Sequence, residues 1–272
     1  PMMSASAAAV CGTMVKKRVS MLIDRPQHYP RCRDQLLFRS AHPLFFHQGG
    51  LVLFDHLTND HFCSLLSKIC NAKVISLNYR RCPEVNFPQP IEDCLNLWNY
   101  IQSNSEIYGI DQNRVALAGD SAGGNLTAAL CLKRRDTGAV LPKAQMMVYP
   151  FVDYTLSYPS MDELGEGHII TKKHLEWFRS NFLPDEALVK DPYVSPLFAP
   201  DLSGLPPAVV VTAGFDLLRD EAKAYADRLS EAGVKTQYKE FSSDGHGFMY
   251  ADTTASVRAA NANIVEMFKP LL

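Results

Sequence analysis

Arg114-Val115-Ala116-Leu117-Ala118-Gly119-Asp120-Ser121-Ala122-Gly123 is the stretch that decides the fold of this chain. Val115 to Ala118 is a short apolar run of the kind that forms a buried strand. From Ala122 onward, Leu126, Ala129 and Leu130 recur at helical spacing. The serine therefore falls at a strand-to-helix junction with a glycine two places to either side. Small neighbours are needed where a chain reverses sharply and packs closely on itself. A helix starting behind the serine brings unpaired N–H groups and a partial positive charge to its side chain. A glycine-rich turn with a capping serine would use the same residues. The strand before and the helix after favour an exposed, activated nucleophile on a strained turn.

Outward from this stretch, short runs rich in branched and aromatic residues lie at Leu36–Phe38, Leu44–Phe46, Val74–Tyr79, Met146–Tyr149, Val209–Thr212 and Thr236–Phe241. Several are apolar without alternation, which suits strands covered on both faces of a parallel sheet. Between them run helical periods: Phe62, Leu65, Leu66 and Ile69; Ile91, Cys94, Leu95, Trp98 and Ile101; Leu218, Ala222, Tyr225 and Leu229, stopped by Gly233; and Val257, Ile264, Val265 and Phe268. Strands alternating with helices imply βαβ units. The expected fold class is α/β, a mainly parallel sheet flanked by helices in a single domain over 1–272. The rhythm breaks from Pro150 to Pro207, where one helix-like piece, Lys172 to Phe182, stands in a Pro- and acid-rich stretch. A structureless loop of that length is unusual, so 150–207 reads as a lid-like insertion between two core strands.

An activated serine needs a base, and the base needs an acid to orient it. In the α/β-hydrolase arrangement they follow in the order serine, acid, histidine. Asp216 follows the run ending at Ala213, and His246 follows the run ending at Phe241 within the glycine-flanked loop Asp244-Gly245-His246-Gly247-Phe248. Both lie beyond strand ends, where open parallel sheets build their sites. Asp220, one helical turn further on, is the rival acid. His28, His42, His56 and His61 precede the serine, and His168 and His174 fall in the insertion. The tetrahedral intermediate of acyl transfer also needs donors for its oxyanion, and losing one costs about 10²–10³ in rate. The N–H of Ala122 is one candidate. Leu44-Phe45-Phe46-His47-Gln48-Gly49-Gly50, an apolar strand followed by two glycines, offers the others at Gly49 and Gly50, although an ordinary glycine turn reads the same way.

Composition narrows the classes. Of 272 residues 47% are hydrophobic and 21% charged, which excludes a disordered or fibrous chain. Lys plus Arg is 27 against 29 for Asp plus Glu, and the basic runs Lys16-Lys17-Arg18 and Lys133-Arg134-Arg135 are too short for a nucleic-acid face. No run approaches the roughly 18 apolar residues of a membrane span. The apolar N-terminus has its positive charges after it, the reverse of a secretion signal. Seven cysteines, Cys11, Cys32, Cys63, Cys70, Cys82, Cys94 and Cys131, form no Cys-x-x-Cys pair. Reduced thiols and a cytoplasmic location are expected.

The quoted motifs together resemble the hormone-sensitive-lipase family of α/β-hydrolase esterases, its bacterial family IV type. The resemblance runs from His47 to Phe248, about three quarters of the chain. It rests on His47-Gln48-Gly49-Gly50, Gly119-Asp120-Ser121-Ala122-Gly123, Asn78-Tyr79-Arg80-Arg81-Cys82-Pro83-Glu84, Gly214-Phe215-Asp216-Leu217-Leu218-Arg219-Asp220-Glu221 and His246-Gly247-Phe248. It implies a Ser121–His246–Asp216 triad and oxyanion donors at Gly49, Gly50 and Ala122. It also implies hydrolysis of short- to medium-chain carboxylic esters of small molecules without metal or cofactor, and, by analogy, a homodimer. Two departures stand out. Gln48 replaces a family glycine, at a cost of about 1–2 kcal/mol if position 48 requires positive φ. Only 46 residues precede His47, so residues 1–35 would form just part of the family's N-terminal cap. The same triad would serve an amidase or formamidase. A non-catalytic ligand receptor on the same fold would be expected to lack the histidine.

Overall fold

The computed structural model describes residues 42–250 and 254–272. The expected strand Leu36–Phe38, the cap segment 1–35, His28, Cys11, Cys32 and the run Lys16-Lys17-Arg18 lie outside the described residues. Six strands form one sheet in the order β2-β1-β3-β4-β5-β6: β1 (His42–Phe46), β2 (Ile75–Leu77), β3 (Val115–Asp120), β4 (Gln145–Val148), β5 (Ala208–Phe215) and β6 (Thr236–Gly245). Every pairing among them is parallel. The helices are α1 (Asp60–Cys70), α2 (Gln89–Ser103), α3 (Ser105–Tyr108), α4 (Ala122–Asp136), α5 (Pro159–Glu163), α6 (Lys172–Phe182), α7 (Arg219–Glu231) and α8 (Ala255–Phe268).

The strands look uniformly apolar because both faces of the sheet are covered. On one face Leu44, Phe46, Val115, Leu117 and Val210 pack with α2, α4 and α7. On the other, Phe45, Ala116, Ala118, Val209 and Val211 pack with α1 and α8. Successive side chains point to opposite faces, so each strand feeds two cores. The central strand β3 carries alanine at positions 116 and 118, between larger neighbours on the same face.

Strand register brings distant loops together. Phe46, the last residue of β1, pairs with Gly119 of β3, so the loop leaving β1 lies beside the turn leaving β3. At the other side of the sheet, Phe215 pairs with Gly245 across a bulge at Gly214. Strand β6 therefore runs four residues beyond the apolar stretch that ends at Phe241. By sequence alone, Ser242 to Gly245 belong to a loop. Their side chains are small or polar, but the backbone completes the ladder against β5. His246 is thus the first residue after a strand rather than a member of a long loop.

The insertion between β4 and β5 holds α5, α6 and two short 3₁₀ turns, Glu186–Lys190 and Pro196–Phe198. Helix α6 begins at a reciprocal cap, in which Thr171 Oγ1 accepts from His174 N and His174 Nδ1 accepts from Thr171 N. Its apolar side, Leu175, Phe178 and Phe182, faces the core, while Trp177 is 47% exposed.

Candidate active site

The turn after β3 carries Ser121 at φ 53°, ψ −119°. This conformation is unfavourable for a residue with a Cβ, by about 1–3 kcal/mol, and survives where the surroundings leave no alternative. Here Ser121 N donates to Val148 O, and Ser121 O accepts from Asn125 N and Phe151 N. The flanking glycines are sterically required. A Cβ on Gly119 would lie 2.3 Å from Gly123 O, and one on Gly123 would lie 1.9 Å from Phe46 O. Helix α4 begins at Ala122, directly behind the hydroxyl, with its first N–H groups lacking intrahelical acceptors.

Three strand ends converge on that hydroxyl. His246 Nε2 lies 3.0 Å from Ser121 Oγ, and His246 Nδ1 lies 2.7 Å from Asp216 Oδ2. A carboxylate only accepts, so Nδ1 carries the ring proton and Nε2 accepts from the serine hydroxyl. Asp216 Oδ1 accepts from Leu218 N at 2.9 Å, which fixes the carboxylate's direction. Ser121, His246 and Asp216 are 8%, 6% and 1% exposed, so the three lie in a largely dry environment. Asp220 serves elsewhere: it accepts from Ser160 N and Arg219 Nε and tethers the insertion to the start of α7.

The loop after β1 is held close by. Gly49 (φ 108°) and Gly50 (φ 61°) take conformations that favour glycine. Gly49 O accepts from Val52 N and Leu53 N, closing a tight turn in which a Cβ at Gly49 would strike Leu53 O. Gln48 is not among the residues at positive φ, so the expected penalty for replacing a glycine there does not arise. The His47 ring stacks on Tyr79, with centroids 4.1 Å apart and planes 8° apart, and Tyr79 OH donates to His47 O at 2.7 Å. Burial lowers the His47 pKa to about 4, so the ring stays neutral and braces the loop.

The stretch around Tyr79 thereby gains a role that its motif alone does not disclose. Tyr79 pins the glycine loop. Next to it, Arg80 forms a two-pronged ion pair with Asp93 of α2, and Arg81 Nη1 donates to Phe54 O. Helix α6 closes the loop from above: a Cβ on Gly50 would fall 2.2 Å from Phe178 Cγ. Phe151 and Tyr154, also aromatic members of the insertion, stack on each other at 3.9 Å inside the core.

Sequence reasoning misses a polar cluster built on Asp120, the residue before the serine. Asp120 is fully buried, and its carboxylate accepts from Asn59 Nδ2 (3.0 Å), Tyr149 OH (3.3 Å) and Tyr250 OH. Its partners lie 61, 29 and 130 positions away, so no local spacing reveals the cluster. Asn59 and Tyr250, with Gln48, Phe54, Phe62 and Met249, also line a cavity of about 320 Å³ beside the glycine loop. Among the described residues no cluster of three or more His, Cys, Asp or Glu has metal-binding geometry.

Known proteins share this architecture. A family model described as the alpha/beta hydrolase fold matches residues 43–250. The chain is 38% identical over 227 residues to carboxylic ester hydrolase LipN of Mycobacterium tuberculosis, covering 81% of this chain and 60% of that protein. It is 38% identical over 213 residues to an arylesterase of Saccharolobus solfataricus, covering 78% and 69%. Among solved structures, EstE1, a thermophilic carboxylesterase cloned from a metagenomic library, superposes with a TM-score of 0.82. It is 34% identical over 86% of this chain and 80% of its own. The chain spans between three fifths and seven tenths of these two curated relatives.

Proposed function

The chain belongs to the α/β-hydrolase family, in its hormone-sensitive-lipase-like branch, and on that premise we propose that it is a serine carboxylesterase acting on short- to medium-chain esters of small molecules. The observation that carries the reading is the continuous relay Ser121 Oγ–His246–Asp216 at 3.0 and 2.7 Å, with the serine held on a strained turn at a helix start.

The proposed reaction runs in two halves. His246 Nε2 takes the proton of Ser121 as Oγ attacks the ester carbonyl. The carbonyl electrons move onto oxygen, where the N–H groups of Gly49, Gly50 and Ala122 receive the charge. Asp216 keeps the imidazole in the productive tautomer and stabilises its cation, without itself taking the proton. His246 then gives the proton to the departing alcohol, leaving an acyl group on Ser121. Water, deprotonated by the same nitrogen, completes the cycle. A protein that only bound its ligand would have no use for the Ser121–His246 contact.

Names of relatives support an ester substrate: LipN is called a carboxylic ester hydrolase, and a Pseudomonas putida relative an ethyl acetate hydrolase. Residues 150–207 are proposed as the lid that sets acyl length, on the strength of Phe178 resting against Gly50. Among the described residues no helix is long and apolar enough to cross a membrane. A cytoplasmic location is proposed from the buried free thiols Cys63, Cys70, Cys82, Cys94 and Cys131, and a homodimer by family analogy.

Two results test the proposal. Hydrolysis of p-nitrophenyl acetate, butyrate, octanoate and palmitate is expected to be fastest at acetate or butyrate and at least about tenfold slower at palmitate, as the proposed short- to medium-chain preference requires. Turnover confined to matched amides would move the assignment to an amidase. Asp216→Asn is expected to lower kcat about 10⁴-fold by favouring the wrong histidine tautomer, while Asp220→Asn stays within about tenfold of wild type. The reverse order would transfer the acid role to Asp220.

A further inference from the structure

We infer that Asp120 is a positioning residue for the proposed reaction, a second, buried carboxylate held by donors from three separate elements, one of which, Tyr149, packs its ring against His246. The inference rests on the proposed triad and adds a residue to it.

The geometry is specific. Asp120 closes β3 immediately before the nucleophile, so its backbone is fixed by the same turn. Its Oδ1 accepts from Asn59 Nδ2, at the junction leading into α1. Its Oδ2 accepts from Tyr149 OH, just after β4, and from Tyr250 OH, four residues beyond His246. Tyr149 links the carboxylate to the base: its hydroxyl binds Asp120, and its ring lies 4.7 Å from the His246 ring. Tyr149 also takes a positive φ of 37°, and its N–H donates to Val211 O, so it is anchored in an unfavourable conformation.

A carboxylate buried away from water is costly unless donors compensate it. Here three neutral donors converge on it, an arrangement suited to an anion. Burial pushes the Asp120 carboxyl up to about 6, while Tyr250, Asn59, Tyr149 and the charge of His246 all pull it down. It is therefore ionised above that pH. The charged and titratable groups facing it are His246, Tyr149, Tyr250, the Cys63 thiol and Tyr79. Those around His246 are Asp216, in direct contact, Tyr149, whose ring packs on it, and Asp120, which interacts with it through its charge. Only the histidine changes charge during the proposed reaction. An anion nearby favours the imidazolium that forms as Ser121 attacks.

The pH profile of kcat/KM separates this role from a packing role. In Asp120→Asn the shape and most hydrogen bonds persist but the charge is gone. The imidazolium becomes harder to form, so kcat falls about 5- to 50-fold, and the loss of activity that accompanies Asp120's own protonation near pH 6 disappears, so the acid limb moves to lower pH. Tyr149→Phe keeps the charge but removes a donor, so the carboxyl takes up its proton sooner and the acid limb moves to higher pH. Opposite displacements in the two variants are the expected result. If Asp120→Asn does not fold, the Tyr149→Phe displacement alone decides. An acid limb unmoved in every folded variant, whatever the fall in kcat, overturns the inference and leaves a packing role. Ser121→Ala, measured alongside, separates the two claims: activity surviving there defeats the triad itself, whereas its loss with unmoved limbs defeats only Asp120.

Discussion

Ser121→Ala is expected to lose at least about 10⁴-fold in kcat/KM on p-nitrophenyl butyrate while melting within a few degrees of the wild type. The size of the loss follows from the unity of the relay. His246 and Asp216 have nothing to activate once Oγ is gone, so removing the serine removes the contribution of all three, leaving binding and the oxyanion donors. The fold survives because Oγ contributes one hydrogen bond, at 3.0 Å, to a turn determined by other contacts. Ser121 N to Val148 O, the glycine contacts and the start of α4 are all backbone features that alanine shares. Alanine at φ 53° is no more strained than serine. Substantial activity in the purified variant would contradict the assignment of the nucleophile.

Gly123→Ala is expected to unfold about 10 °C below the wild type and to leave little of the proposed ester hydrolysis in what remains folded. The added methyl would lie 1.9 Å from Phe46 O, 2.5 Å from Phe46 C and 2.8 Å from His47 O. These are backbone atoms at the end of a central strand, so no rotamer change relieves the overlap. Either α4 withdraws from the sheet or the end of β1 moves, and the second carries the His47–Gly50 loop with it. Overpacking of this kind costs about 3 kcal/mol or more, and each kcal/mol lowers the melting temperature of a domain this size by about 2–4 °C. Gly138→Ala is the control: its φ is positive, at 63°, unlike that of Gly123, but its Cβ would meet nothing within 4 Å. It should cost only the backbone contribution, about 1 kcal/mol. Equal stability of the two variants would remove the steric explanation for the glycines flanking Ser121.

Much of this site is legible in the residues taken in order. Ser121, Asp216 and His246 each follow an apolar run within a few residues, and a parallel sheet delivers all such positions to one edge. The glycine loop is legible for the same reason, since Leu44 to Phe46 is plainly a strand. What escapes depends on contacts between distant positions. Asn59 and Tyr250 meet Asp120 across 61 and 130 residues. Tyr79 stacks on His47 across 32 residues, and neither residue type announces a brace. The extension of β6 to Gly245 is hidden because Ser242, Ser243 and Asp244 favour turns on their own; pairing with β5 overrides that preference. The work of Asp220 is hidden too, because a carboxylate one turn from another looks identical in sequence whether it faces a histidine or a backbone amide.

A covalent bond at Ser121 is the central requirement of the proposed chemistry. Brief mixing of the wild-type protein with p-nitrophenyl acetate, an acid quench, and mass analysis of the intact chain and its peptides would reveal it. The prediction is one acetyl group per chain, on the peptide containing Ser121, appearing with the burst of p-nitrophenol and absent from Ser121→Ala. Steady turnover of the ester with no acetyl on that peptide, or with the acetyl on another residue, would contradict it.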